Sequence, residues 1–129
     1  MEAVVHVVMA VLCLPGDFQV LVMNPHKEER GWIFPGGPVA SGEEECAALA
    51  RHVRDEIGVS VPPEAFVPIK VRRHRHRSLV FSSYAVSCLD TVRDLIGHVG
   101  PRGHFIQIVH RSQLREHMDR RRAAMAVPG

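Results

Sequence analysis

Between Gly36 and Val59 the chain has few choices: a double-glycine turn feeds one charged helix. Ser41 is the expected N-cap, because its hydroxyl can accept from an unpaired backbone N–H, and Glu44 can close a capping box. Glu43, Glu44 and Glu45 place negative charge at the positive end of the helix dipole. Gly58 supplies the left-handed residue that ends such a helix. At about 100° per residue, Cys46, Leu49, Ala50, Val53 and Ile57 share one apolar stripe. His52, Asp55 and Glu56 gather opposite, with Glu45 beside them. A charged helix face is usually just solvated, but one entered directly from a glycine turn favours a site.

The spacing of Gly37, Glu43, Arg51, Val53, Glu56, Gly58 and Val59, with the lead-in Trp32-Ile33-Phe34-Pro35-Gly36-Gly37, resembles the Nudix box. That box marks hydrolases that cleave nucleoside diphosphates linked to another group. The resemblance covers nearly the whole chain. It implies an α+β Nudix fold, a mixed β-sheet sandwiched between α-helices, as one domain over residues 1–129 with a frayed tail after about residue 124. It also implies a divalent metal held against a pyrophosphate, with Glu56, Asp55 and His52 as ligands and Glu43 and Glu45 as supports. Arg51 would orient the carboxylates through charge-assisted hydrogen bonds.

Two positions depart from the box. Asp55 and His52 stand where the family has glutamates. Asp keeps the charge. His52 replaces an oxygen ligand with nitrogen, which magnesium takes poorly and manganese or zinc accept more readily. His52 is also a candidate general base, since its reference pKa lies near neutrality. The expected activity is therefore metal-dependent hydrolysis of the pyrophosphate linkage in a nucleotide or nucleoside diphosphate derivative, with magnesium, or manganese favoured by His52. The alternative is a catalytically degenerate Nudix domain that binds a nucleotide or a partner.

Gly36 and Gly37 are read chiefly as shaping the turn, with close phosphate approach as a second role. The run Arg72-Arg73-His74-Arg75-His76-Arg77 reads first as a solvated hairpin tip. Its functional reading is a phosphate-binding edge in which Arg73 and Arg75 fork onto substrate oxygens, with sequence-independent RNA binding a weaker third option because no aromatics interleave the run. Formal net charge is only +2 and aromatics make up 5%, so a small nucleotide is the expected partner and nucleic acid is not. Oligomeric state is open, a homodimer being one option.

Cys13, Cys46 and Cys88 form an odd set in apolar runs, which fits buried reduced thiols and a cytoplasmic protein. The apolar run Val4 to Leu14 lacks a basic lead and a cleavage site and is too short to span a bilayer, so it reads as a strand. Further strands are expected at Gln19–Met23, Ala65–Val71, Leu79–Leu89 and Phe105–Val109, and a polar loop at Asn24–Gly31. Asp90, Asp94, His98 and His104 are the only candidates for a later catalytic carboxylate or its substitute. A second helix, capped by Ser112, is expected from Gln113 to about Ala124.

Overall fold

A computed structural model describes residues 4–87 and 99–128. β1 (Val5–Leu14) turns through Pro15-Gly16-Asp17 into β2 (Phe18–Met23), and β3 (Gly36–Pro38) precedes α1 (Glu45–Ile57). β4 (Val67–Arg73), β5 (Leu79–Ser87) and β6 (Phe105–His110) follow, then α2 (Leu114–His117) and α3 (Arg120–Ala124). The sheet runs β4-β5-β1-β2-β6, with β3 paired to β1 off that path. β1 and β5 are parallel and the other pairings antiparallel, so the sheet is mixed.

Alternation along β1 decides the layers. Val8, Ala10, Leu12 and Leu14 face α1, where they bury Leu49, Val53 and Ile57. Val11 turns to the other face and packs with Leu21, Phe34, Leu114, Met118 and Ala123 under α2 and α3. Helices therefore cover both faces, as expected. Trp32 packs against this second cluster. No helix among the described residues is long and apolar enough to cross a membrane.

Several local expectations are corrected. The segment Pro25–Arg30 is a pair of 3₁₀ turns capped by the Asn24 side chain rather than an irregular loop. The helix expected from Gln113 breaks at Met118, which is extended and 7% exposed. Asp119 then caps α3 by accepting from the Arg122 N–H at 2.9 Å. Burying Met118 outweighs continuing the helix. Fraying after about residue 124 does not apply to Met125, which is 2% exposed and accepts from Ser83 Oγ at 2.6 Å. Cys88, Asp90, Asp94 and His98 lie outside the described residues.

Candidate active site

The helix begins one turn later than its sequence suggests. Its first residue is Glu45, and Ser41 lies in the preceding turn, so the capping box does not form. Glu43 explains the change. Its carboxylate accepts from the Ala40 N–H at 3.0 Å and from Arg51 Nε and Nη2 at 3.0 and 2.9 Å. A bidentate fork of this kind fixes direction as well as distance. The Arg51 fork, followed by the Ala40 amide, holds the Glu43 carboxyl down at about 2. The C-terminus is as expected, with Gly58 left-handed at φ 88°.

The sign of the Glu43 shift yields a first prediction. A depressed carboxyl contributes stability that is complete above its ordinary value of about 4.5 and disappears as pH falls through about 2. Wild type should melt above Glu43→Gln at neutral pH, and the two melting curves should converge on acidification through that window. A constant gap down to pH 2 would mean that the fork is not held by charge.

Gly36 and Gly37 are strand residues rather than a bare turn. They pair with Met9 and Val8. A Cβ on Gly37 would sit 2.6 Å from the His52 ring, so the missing side chain is what admits the imidazole. His52 Nε2 lies 2.8 Å from the Pro38 carbonyl. A carbonyl only accepts, so Nε2 carries a proton and Nδ1 faces Glu56 Oε2 at 3.5 Å. The other oxygen of Glu56 accepts from the Gly36 N–H at 3.3 Å. Glu56 is 6% exposed, and among the described residues the one titratable group within ion-pair distance of it is His52. The Glu56 carboxylate holds the His52 imidazolium above the ordinary histidine value; burial opposes this, and the Pro38 carbonyl reinforces it.

The structure thus brings His52 and Glu56 together on β3 and sets Arg51 beside them through Glu43. It points Asp55 elsewhere, toward Arg102 at 3.2 Å on the turn before β6. Glu45 is also committed. It accepts from Ser82 Oγ at 3.0 Å and from the Tyr84 hydroxyl, with His6 Nδ1 at 3.9 Å. Burial, then Glu45, pushes the Tyr84 phenol up. Sequence reading missed this network because its members are 37 and 39 residues apart and only the packing of α1 on the sheet joins them. Arg73 ends β4 opposite Val80, and Arg75 lies in the following hairpin. Among the described residues, no hydrogen bond or ion pair links either to α1. His104, the remaining candidate near β6, accepts from the Gly100 N–H through its carbonyl at 2.8 Å.

No group of three or more His, Cys, Asp or Glu close enough to hold a metal occurs among the described residues. A two-donor site does. Neutral His52 presents Nδ1 and Glu56 presents Oε2, 3.5 Å apart on one helical turn. Magnesium commonly uses only one or two carboxylates, with waters and substrate phosphates completing the shell, so two protein donors fit a divalent ion. The nitrogen favours a softer one.

A family model described as "NUDIX domain" matches residues 5–123. Over 70 residues the chain is 34% identical to 8-oxo-dGDP phosphatase NUDT18 of Homo sapiens, covering 54% of this chain and 22% of that protein. The chain therefore matches about a fifth of that relative's length. Among solved structures, MutT from work on Aliivibrio salmonicida and Vibrio cholerae superposes with a TM-score of 0.71 at 22% identity, covering 89% of this chain and 86% of that one. A NUDIX-family hydrolase from Clostridium perfringens gives 0.72 at 14% identity, covering 97% and 94%.

Proposed function

This chain belongs to the Nudix family, and on that premise we propose that it hydrolyses the pyrophosphate linkage of a nucleotide or nucleoside diphosphate derivative. Nudix hydrolases generally use divalent metals. The observation that carries the proposal is Glu56: a carboxylate only 6% exposed, anchored by a backbone N–H and, among the described residues, paired with no Lys or Arg. Burying a carboxylate without a strong cation is costly, so such a group is retained where something positive arrives to meet it.

In this reading Glu56 and His52 hold the metal, and Asp55 joins only by leaving Arg102. A metal held there would supply positive charge to the phosphate oxygens and so favour attack by water at phosphorus. Arg51 acts through Glu43 to fix the turn that carries Pro38, and Pro38 sets the His52 tautomer. Gly36 and Gly37 let the backbone and the imidazole come together where the phosphates would lie. The human relative's name makes oxidised guanine nucleotides a sensible part of any substrate panel. Free Cys13 and Cys46 suit a reducing, cytoplasmic setting.

One observation favours the second reading, a binding module without turnover. Both ring nitrogens of His52 are already engaged, and Glu56 stabilises the imidazolium that would repel a metal. His52→Glu separates the two. Wild type should release phosphate weakly with magnesium and better with manganese, and the glutamate variant should raise the magnesium rate roughly tenfold or more. A wild type already fast with magnesium and slowed by the substitution would make His52 a working residue. No release by either protein across a nucleotide panel, with both metals, would favour the binding module.

A further inference from the structure

The two most basic runs in the sequence, 70–77 and 120–122, are some fifty residues apart and each alone reads as a solvated surface. The fold joins them. Lys70 Nζ donates to the Ala124 carbonyl at 2.9 Å and Arg72 Nη1 to the Arg121 carbonyl at 3.2 Å. Buried Ser83 closes the same seam by donating to Met125. Those carbonyls end a short helix and need donors, so Lys70 and Arg72 have structural work there.

Most of their neighbours have none, Arg122 being the exception because it also donates to the Arg30 carbonyl. Arg51, Arg54, Arg102, Arg111 and Arg122 each have a carboxylate within ion-pair distance. Among the described residues, no ion pair engages Arg73, Arg75, Arg77, Arg120 or Arg121. Segments 70–77 and 119–124 together hold eight Lys or Arg and one acid, Asp119, while the whole chain nets only +2. The rest of the molecule is therefore net acidic, and the small overall charge conceals a strongly basic edge. β4 is an outer strand, separated from β1 by β5, whereas Glu56 meets Gly36 on the far side of β1. At about 4.8 Å per strand, the edge lies roughly 14 Å from the hydrolytic site.

We propose that this edge binds the phosphodiester backbone of a single RNA strand without reading its bases. Seven of the eight cations are arginines, whose planar fork matches phosphate oxygens. No Phe, Tyr or Trp lies in either run, so the large stacking platforms of base readers are missing and the phosphate backbone is the main recognisable feature. The hairpin tip is His-Arg-His-Arg with no apolar residue, which disfavours insertion at a membrane surface. A protein partner would need an apolar or aromatic anchor, and the described outer strand exposes only two valines, Val67 and Val71, with no aromatic.

The test is fluorescence anisotropy with a labelled 20-nucleotide RNA of mixed sequence, on the full chain. Neutralising about five phosphates predicts a log–log salt slope near −3.5, a ~100-fold weakening between about 50 and 200 mM salt. The triple variant Arg77→Gln/Arg120→Gln/Arg121→Gln should lower that slope by about 2 and weaken binding at least ~10-fold at low salt. Folding is checked by melting, and the single variant Arg120→Gln, exposed and free of any carbonyl contact, covers loss of the triple. Nucleotide hydrolysis should not change in the variants, and RNA binding is scored whether or not hydrolysis occurs. Absence of RNA binding at low salt, or binding indifferent to these arginines, overturns the proposal. So does equal or tighter binding of polyglutamate or phosphatidylserine vesicles through the same arginines.

Discussion

Glu56→Gln is expected to lower metal-dependent turnover by about 10²–10³-fold while leaving the fold in place. The glutamine keeps an oxygen that can accept from Gly36 N–H, the bond now made by Glu56 Oε1 at 3.3 Å. It removes the negative charge that faces His52 Nδ1 at 3.5 Å and that a divalent ion would use. Charge is thus separated from shape in one substitution. Phosphate release should be measured at saturating metal and again at tenfold lower metal, alongside a melting curve. Turnover equal to wild type at both would take Glu56 out of the mechanism. A collapsed melting temperature would instead assign it to the fold.

Gly36→Ala should cost about 3 kcal/mol or more of stability. Gly36 sits at φ 152°, and a Cβ there would lie 2.0 Å from the Val8 carbonyl oxygen and 2.8 Å from Met9 Cα. Both obstacles are backbone in the central strand, so neither can step aside. For a chain of this size the loss corresponds to a fall of roughly 10 °C in melting temperature. Gly37→Ala is the informative contrast. The atoms nearest its Cβ all belong to the His52 side chain, which can swing. It should cost less stability and more activity, because swinging breaks the contact with Pro38. If Gly36→Ala melts within a degree or two of wild type, close approach of β3 to β1 is not what requires glycine.

Much of the site was legible because the box is local. Arg51, His52 and Glu56 lie within six consecutive residues, and helical periodicity puts the last two on one face. Gly58 ends the helix by a preference that needs no tertiary context. The start was misread for a tertiary reason: Glu43 prefers the Arg51 guanidinium, eight residues on, to a position inside the helix. Asp55 shows the same limit. Sequence sets it beside Glu56, but a helix turns 100° per residue, and Arg102 takes the carboxylate from another element.

What the sequence determined alone is whatever depends on spacing along the chain: five of the six described strands, the body and end of α1, its apolar stripe, and the Nudix box. β-branched alternation and a 3.6-residue period act over a few residues, so they survive being read in one dimension. The tertiary structure alone decided which charged groups meet. It fixed His52 between Pro38 and Glu56, tied Glu45 to Ser82 and Tyr84, and drew two distant arginine runs onto one edge. Coulombic and hydrogen-bonding energies fall off with distance in space, and the chain's order does not encode that distance until strands pair.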